Sequence, residues 1–248
     1  MFKRLFPYFL CLFVLSGFSQ TRKRNFIQRE IGVFGGASYY LGDLNPRGHF
    51  SFSRPAMGIF YRYSTHYRYA FRFGFNYGNI TADDAKSKEL NQLERNVNFH
   101  SKIYDIHAVA EFNFVDYRIG IDKHRFTMFI FAGLGGFYFD PQTSYGQGDA
   151  PEDKLHGGFV TKKYSKFQIN VPYGIGFKWN LGGIFGLGVE WSPRKTFTDY
   201  LDNVSAEYAD GTMRGNPRTK DWYFFYGVTL SIKLPDLHRQ CHGVGFHK

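Results

Sequence analysis

The sequence predicts an all-β fold, a transmembrane antiparallel up-and-down β-barrel of eight strands, and three observations predict it. The chain opens with the layout of an export signal. Aromatic residues then alternate with small or polar ones over runs long enough to cross a bilayer as tilted strands, about 9 to 11 residues. Short and long connections between these runs alternate along the chain.

The export signal comes first. Lys3 and Arg4 precede an almost wholly apolar run, residues 5–15, followed by the small residues Ser16, Gly17 and Ser19. With Gly17 and Ser19 at positions −3 and −1 of a cut after Ser19, residues 1–19 read as a secretory signal peptide. The apolar run is too short for a membrane anchor, which needs about 18 to 20 residues. Cleavage lowers the formal charge from +10 to +8, by removing Lys3 and Arg4, and also removes Cys11. Cys241 is then the one cysteine left, so the mature chain holds no internal disulfide. A basic balance suits an anionic partner such as nucleic acid, lipid phosphate or an acidic protein face. Export excludes nucleic acid and leaves outer-membrane lipid or protein.

The alternation is clearest in residues 69–78, where Tyr69, Phe71, Phe73, Phe75 and Tyr77 are separated by Ala70, Arg72, Gly74, Asn76 and Gly78. Period two places the two sets on opposite faces of a strand. Ile169 to Trp179 and Trp222 to Leu234 form two more such rows, and residues 30–41, 55–64, 99–115, 126–139 and 184–195 supply the other five strands. The connections 65–68, 116–125 and 181–183 are short, whereas 42–54, 82–98, 140–166 and 196–220 are long. Short periplasmic turns and longer external loops produce this rhythm. One barrel domain over residues 20–235 is expected, with a periplasmic tail at 236–248. A soluble lipocalin-like barrel is the rival, but its outward rows carry many charges and few glycines. Here the polar rows are Gly, Asn and Ser with isolated charges, and aromatic residues make up 20% of the chain. Trp179, Trp191 and Trp222 lie near strand ends, where interfacial aromatic girdles belong.

The inward rows bring together Arg62, Arg72, Asp105, His107, Glu111, Lys178 and Glu190. An eight-stranded barrel is only wide enough for side chains to fill, so buried charges there must pair, which predicts a structural salt-bridge plug. A catalytic barrel needs a nucleophile with a base near the outer rim. His49, Ser51 and His156 stand outside any such motif, so no enzymatic activity and no cofactor are expected. In the tail, His238, Cys241 and His242 suit zinc poorly, with glycines between and no second cysteine. An intermolecular disulfide at Cys241 suits an oxidising compartment better.

Particular residues resemble a known family. The stretch from Ile31 to Leu44, the run Pro172-Tyr173-Gly174-Ile175-Gly176-Phe177-Lys178, and above all Arg194-Lys195-Thr196-Phe197-Thr198-Asp199-Tyr200-Leu201-Asp202-Asn203-Val204-Ser205 followed by Tyr208 are similar to PorG-like barrels of bacteria with type IX secretion. That family typically carries a second acidic residue where this chain has Asn203. The resemblance implies a non-enzymatic outer-membrane barrel that contacts a periplasmic ring of PorK-like lipoproteins and PorN-like subunits in the secretion and gliding machinery. Asp199, Tyr200, Asp202 and Ser205 are expected to fix the last long loop; two carboxylates fall short of the 6 to 8 oxygens that calcium takes. Cys241, His238 and His242 are the expected partner contact. The alternatives are a narrow outer-membrane pore or a lipid-A-modifying barrel enzyme.

Overall fold

In the computed structural model eight antiparallel strands close into a barrel, each paired with its neighbours in sequence and β1 with β8. The strands are β1 (Gln28–Leu41), β2 (Arg54–Ser64), β3 (Tyr69–Asp83), β4 (Val97–Asn113), β5 (Phe126–Tyr145), β6 (Phe167–Gly182), β7 (Phe185–Thr196) and β8 (Trp222–Lys233). The structure describes residues 27–42, 44–45, 48–83, 97–121, 125–145, 165–198, 200–201 and 220–235. The proposed signal peptide at 1–19 and the tail at 236–248, with His238, Cys241 and His242, lie outside the described residues, as do Asp199, Asp202 and Ser205.

Closure follows from register: Gln28 on β1 lies opposite Ser64 on β2, while Glu30 lies opposite Lys233 on β8. The described start and end of the barrel thus meet at the end that carries the short connections. At the β6–β7 turn, Gly182 and Gly183 adopt φ of 94° and 57°, a region where a side chain is disfavoured. The long connections gather at the opposite end, which faces outward from the cell in barrels of this kind.

Alternation decides what each face meets. On β3 Tyr69, Phe71 and Phe73 point out and stay exposed, while Ala70 and Arg72 point in and are buried. Ile31, Met57, Ile106 and Leu134 on four other strands also lie on the outer wall, with Leu134 72% exposed. Aromatic rows bound this apolar wall. Tyr69 and Phe112 pack at the short-turn end, and Tyr77, Tyr104 and Tyr138 line up toward the long-loop end. The eight steps from Tyr69 to Tyr77 cover about 27 Å of strand, or about 21 Å across a membrane at about 40° of tilt. The band expected of a membrane barrel is about 25 Å.

β3 and β5 run beyond the ends expected from sequence, to Asp83 and Tyr145 instead of about residues 78 and 139. The cause is an inverted pattern. Above the tyrosine row Ile80 and Ala82 turn inward into an apolar cluster, while Asn79 and Thr81 face out. A strand leaving the bilayer meets water outside, so its polar residues move to the outer face.

The first long connection folds back on the wall. Tyr39 points outward yet is fully buried, because its ring stacks on Phe224 at 4.5 Å and is covered by Phe50 and His49 at 5.1 and 6.1 Å. Phe50 and Phe52 hold left-handed backbones, with φ of 62° and 54°, a conformation that costs about 1 kcal/mol or more for a residue with a Cβ.

Candidate functional site: a filled, charge-balanced lumen

All seven charged or titratable residues assigned inward by alternation are buried in the lumen. They form two clusters. In the lower one Glu111 on β4 is the hub: its Oε2 accepts from Arg62 Nε at 2.9 Å and Lys178 Nζ at 2.5 Å, and its Oε1 lies 3.0 Å from Arg72 Nε. Arg62 also donates to Glu30 at 2.6 Å and Arg72 to Glu190 at 2.5 Å. Three carboxylates therefore face three cations. Each cation also lies on an aromatic face: Arg62 over Phe60 at 4.8 Å, Arg72 over Phe131 at 4.8 Å and Lys178 over Phe129 at 4.1 Å. Such contacts strengthen when desolvated.

The upper cluster centres on Asp105. Its Oδ1 lies 2.7 Å from His107 Nδ1, and its Oδ2 accepts from Tyr223 at 2.7 Å and Asn170 at 2.8 Å. Arg194 supplies the cation, its Nε 3.4 Å from Oδ2 as an ion pair, and its guanidinium donates a hydrogen bond to the Ser192 hydroxyl. Glu30 and Arg194 escaped the sequence assignment although both obey the inward parity of their strands. They sit near the strand ends, where parity alone does not distinguish lumen from rim.

Both ends of the lumen are closed. Toward the outside, Leu201 is fully buried among Phe34, Phe99, Phe137 and Phe225. Its amide donates to Asp221 Oδ2 at 3.1 Å, and Tyr40 donates to Asp221 Oδ1 at 2.8 Å. Tyr200, the one residue of the proposed loop-fixing set among the described residues, packs against this cluster. Leu201 and Asp221 were the residues missed; their role depends on a contact across twenty positions.

Toward the periplasm, residues 114–121 form a plug instead of a plain polar turn. Tyr117 and Ile119 are buried, with Tyr117 donating to the Trp179 carbonyl at 3.2 Å. Gln28 accepts from the Ile119 amide at 3.2 Å, and Asn180 donates to the carbonyls of Arg118 and Ile121 at 3.2 and 3.0 Å. Burial first, then the Glu30 carboxylate, pushes the Tyr117 phenol above its ordinary pKa, so it stays a neutral donor. Truncating Ile119→Ala is expected to cost about 2 to 5 kcal/mol, the usual range for a buried Ile. The check is the urea midpoint of the barrel in phospholipid vesicles, and an unchanged midpoint would show that the plug does not pack.

An apolar, ring-bounded outer wall around a filled and neutralised interior defines an eight-stranded outer-membrane β-barrel. A water-soluble barrel would turn these faces the other way. The chain belongs to the family described as "Domain of unknown function (DUF6089)", whose model matches residues 3–242. No curated protein matches the sequence. Solved structures with a similar outline include Ail, the attachment invasion locus protein of Yersinia pestis, at 10% identity and a TM-score of 0.46, covering 84% of this chain and 99% of that one. Neisserial surface protein A is similar at 12% identity and a TM-score of 0.42, covering 84% and 97%. The outer membrane enzyme PagL is similar at 13% identity and a TM-score of 0.34, covering 82% and 98%.

Proposed function

We propose that the chain is a non-enzymatic outer-membrane subunit that anchors or scaffolds the periplasmic ring of a type IX secretion and gliding machinery. The supporting observation is the lumen itself. Its charges are paired and both its mouths are occupied by side chains, so the work falls to surfaces outside the barrel. The PorG-like stretch from Arg194 to Ser205 supports the particular machinery. The surfaces able to meet PorK-like lipoproteins and PorN-like subunits are the short turns and the tail with His238, Cys241 and His242.

Affinity purification from native membranes without reductant tests this. Ring subunits should co-purify, with a cross-linked band that disappears in the Cys241→Ser variant. Loss of no band would remove Cys241 from the contact, and absence of ring subunits would remove the scaffold role. In planar bilayers the protein should show no unitary conductance, and in cells it should leave lipid A at its original mass. Conductance steps would favour the narrow pore, and a lipid-A mass shift the barrel enzyme.

A further inference from the structure

Three outward side chains, Tyr39 on β1, Trp191 on β7 and Tyr226 on β8, carry polar atoms on a part of the wall that faces acyl chains. Tyr226 lies four residues in from Trp222, the outermost residue of β8. That places its Cα about 10 Å deeper at about 40° of strand tilt. Trp191 is its register neighbour on β7. A phenol or an indole N–H left unpaired at this depth, away from water, costs free energy. All three are paired. Trp191 Nε1 donates to Tyr39 Oη at 3.0 Å, Tyr39 Oη lies 3.3 Å from His49 Nδ1, and Tyr226 Oη donates to Ser53 Oγ at 3.0 Å.

His49 and Ser53 belong to the first long connection. Its turn at residues 48–53 lies against the wall, with the Phe50 ring 5.1 Å from the rings of both Tyr39 and Tyr226. The cover is local: Phe224 is 4% exposed, whereas Val228, four residues further along the same face, is 46% exposed. A turn can sit at this level only if its own backbone groups are paired. Buried Asn45 meets much of that need. Its Oδ1 accepts from the Gly48 amide at 3.0 Å, and its Nδ2 donates to the carbonyls of Gly48 and Tyr40 at 2.9 and 2.8 Å. The Ser51 amide donates to the Gly48 carbonyl at 3.2 Å, and Ser53 Oγ to the Phe50 carbonyl at 2.8 Å. Phe50 itself stays 54% exposed, on a left-handed backbone. Strain of that kind persists only where surrounding contacts impose it. Here it lays an aromatic ring on the wall with its far side uncovered.

Aromatic rings are favoured at the membrane interface. We propose that the turn at residues 48–53 is seated in the outer leaflet, with Phe50 packing against the upper acyl chains while His49 and Ser53 cap the polar atoms of the wall. The occupant is lipid hydrocarbon because this sector continues, through Val228 and Leu230, into the apolar band that the bilayer covers. The seat holds the β7–β8–β1 sector at a set depth and withdraws the turn from the surface presented outside the cell. It does not depend on the scaffold role.

Fluorescence of the full mature chain in phosphatidylcholine vesicles tests the seat. The Phe50→Trp variant keeps a ring in place. After subtraction of the wild-type emission, its added signal should be quenched by lipids brominated high on the acyl chain more than by lipids brominated near the chain end. It should also resist aqueous iodide. Gln142→Trp, at an exposed position on β5 toward the long-loop end, should do the reverse, losing emission to iodide and keeping it with brominated lipid. Folding of each variant is checked by heat-modifiable gel mobility. If Phe50→Trp does not fold, a nitroxide on Phe50→Cys in the Cys241→Ser background carries the same test, through collisions with oxygen in the acyl region against a nickel chelate in water. Iodide quenching equal to that of Gln142→Trp would show that the turn stands in water and would overturn the proposal. Protection from both quenchers would overturn it in favour of a covering protein chain.

Discussion

Replacing Glu111 by glutamine is expected to destabilise the barrel by about 3 to 5 kcal/mol, the range for breaking a buried ion pair from one side. The amide keeps the shape and removes the charge. Arg62 retains Glu30 and Arg72 retains Glu190, but Lys178 is left with the Asn113 side-chain oxygen at 3.1 Å and no carboxylate. The buried cluster then carries one uncompensated positive charge. Removing that cation as well, in Glu111→Gln/Lys178→Met, restores neutrality and places an apolar chain against Phe129, where the ammonium lay 4.1 Å from the ring centroid. The double variant should therefore recover at least half of the loss. Urea unfolding in phospholipid vesicles, followed by tryptophan fluorescence, measures both. Additive effects in the double-mutant cycle would show that charge balance is not what holds the lumen together.

Asp105→Asn is expected to cost about 2 to 4 kcal/mol, because one substitution leaves several buried donors short of an acceptor. The carboxylate takes hydrogen bonds from Tyr223 and Asn170 on one oxygen and faces His107 Nδ1 with the other. Asparagine offers one oxygen and must turn its amino group toward one of those neighbours. Arg194, fully buried with its guanidinium 5.4 Å from the centre of the Phe225 ring, also loses its counter-charge. Asp105→Asn/Arg194→Met should regain part of the stability. If Asp105→Asn alone unfolds at the wild-type urea midpoint, the upper cluster contributes nothing to the fold.

Much of the barrel was legible from period two. Arg62, Arg72, Asp105, His107, Glu111, Lys178 and Glu190 all face inward, as alternation required. Two features misled. Above the membrane the rule inverts, so Ile80 and Ala82 fill the lumen while Asn79 and Thr81 meet water, and β3 outruns the apolar stripe. In the stretch 116–125, charged residues hide Tyr117 and Ile119, whose burial depends on Gln28 and Asn180 at the mouth. No local pattern announces a plug whose partners lie on other strands.

By itself the amino-acid order determined the number of strands, their direction, the face each side chain takes and the lipid contact of the outer wall. These follow from alternation and turn spacing, which act over a few neighbouring residues. Tertiary structure decided which acid meets which base, that the lower cluster sets three carboxylates against three cations, and that both mouths are stopped. Arg72 and Glu190 are 118 positions apart, and their contact exists only because closure carries β3 and β7 round to face one another across a narrow interior.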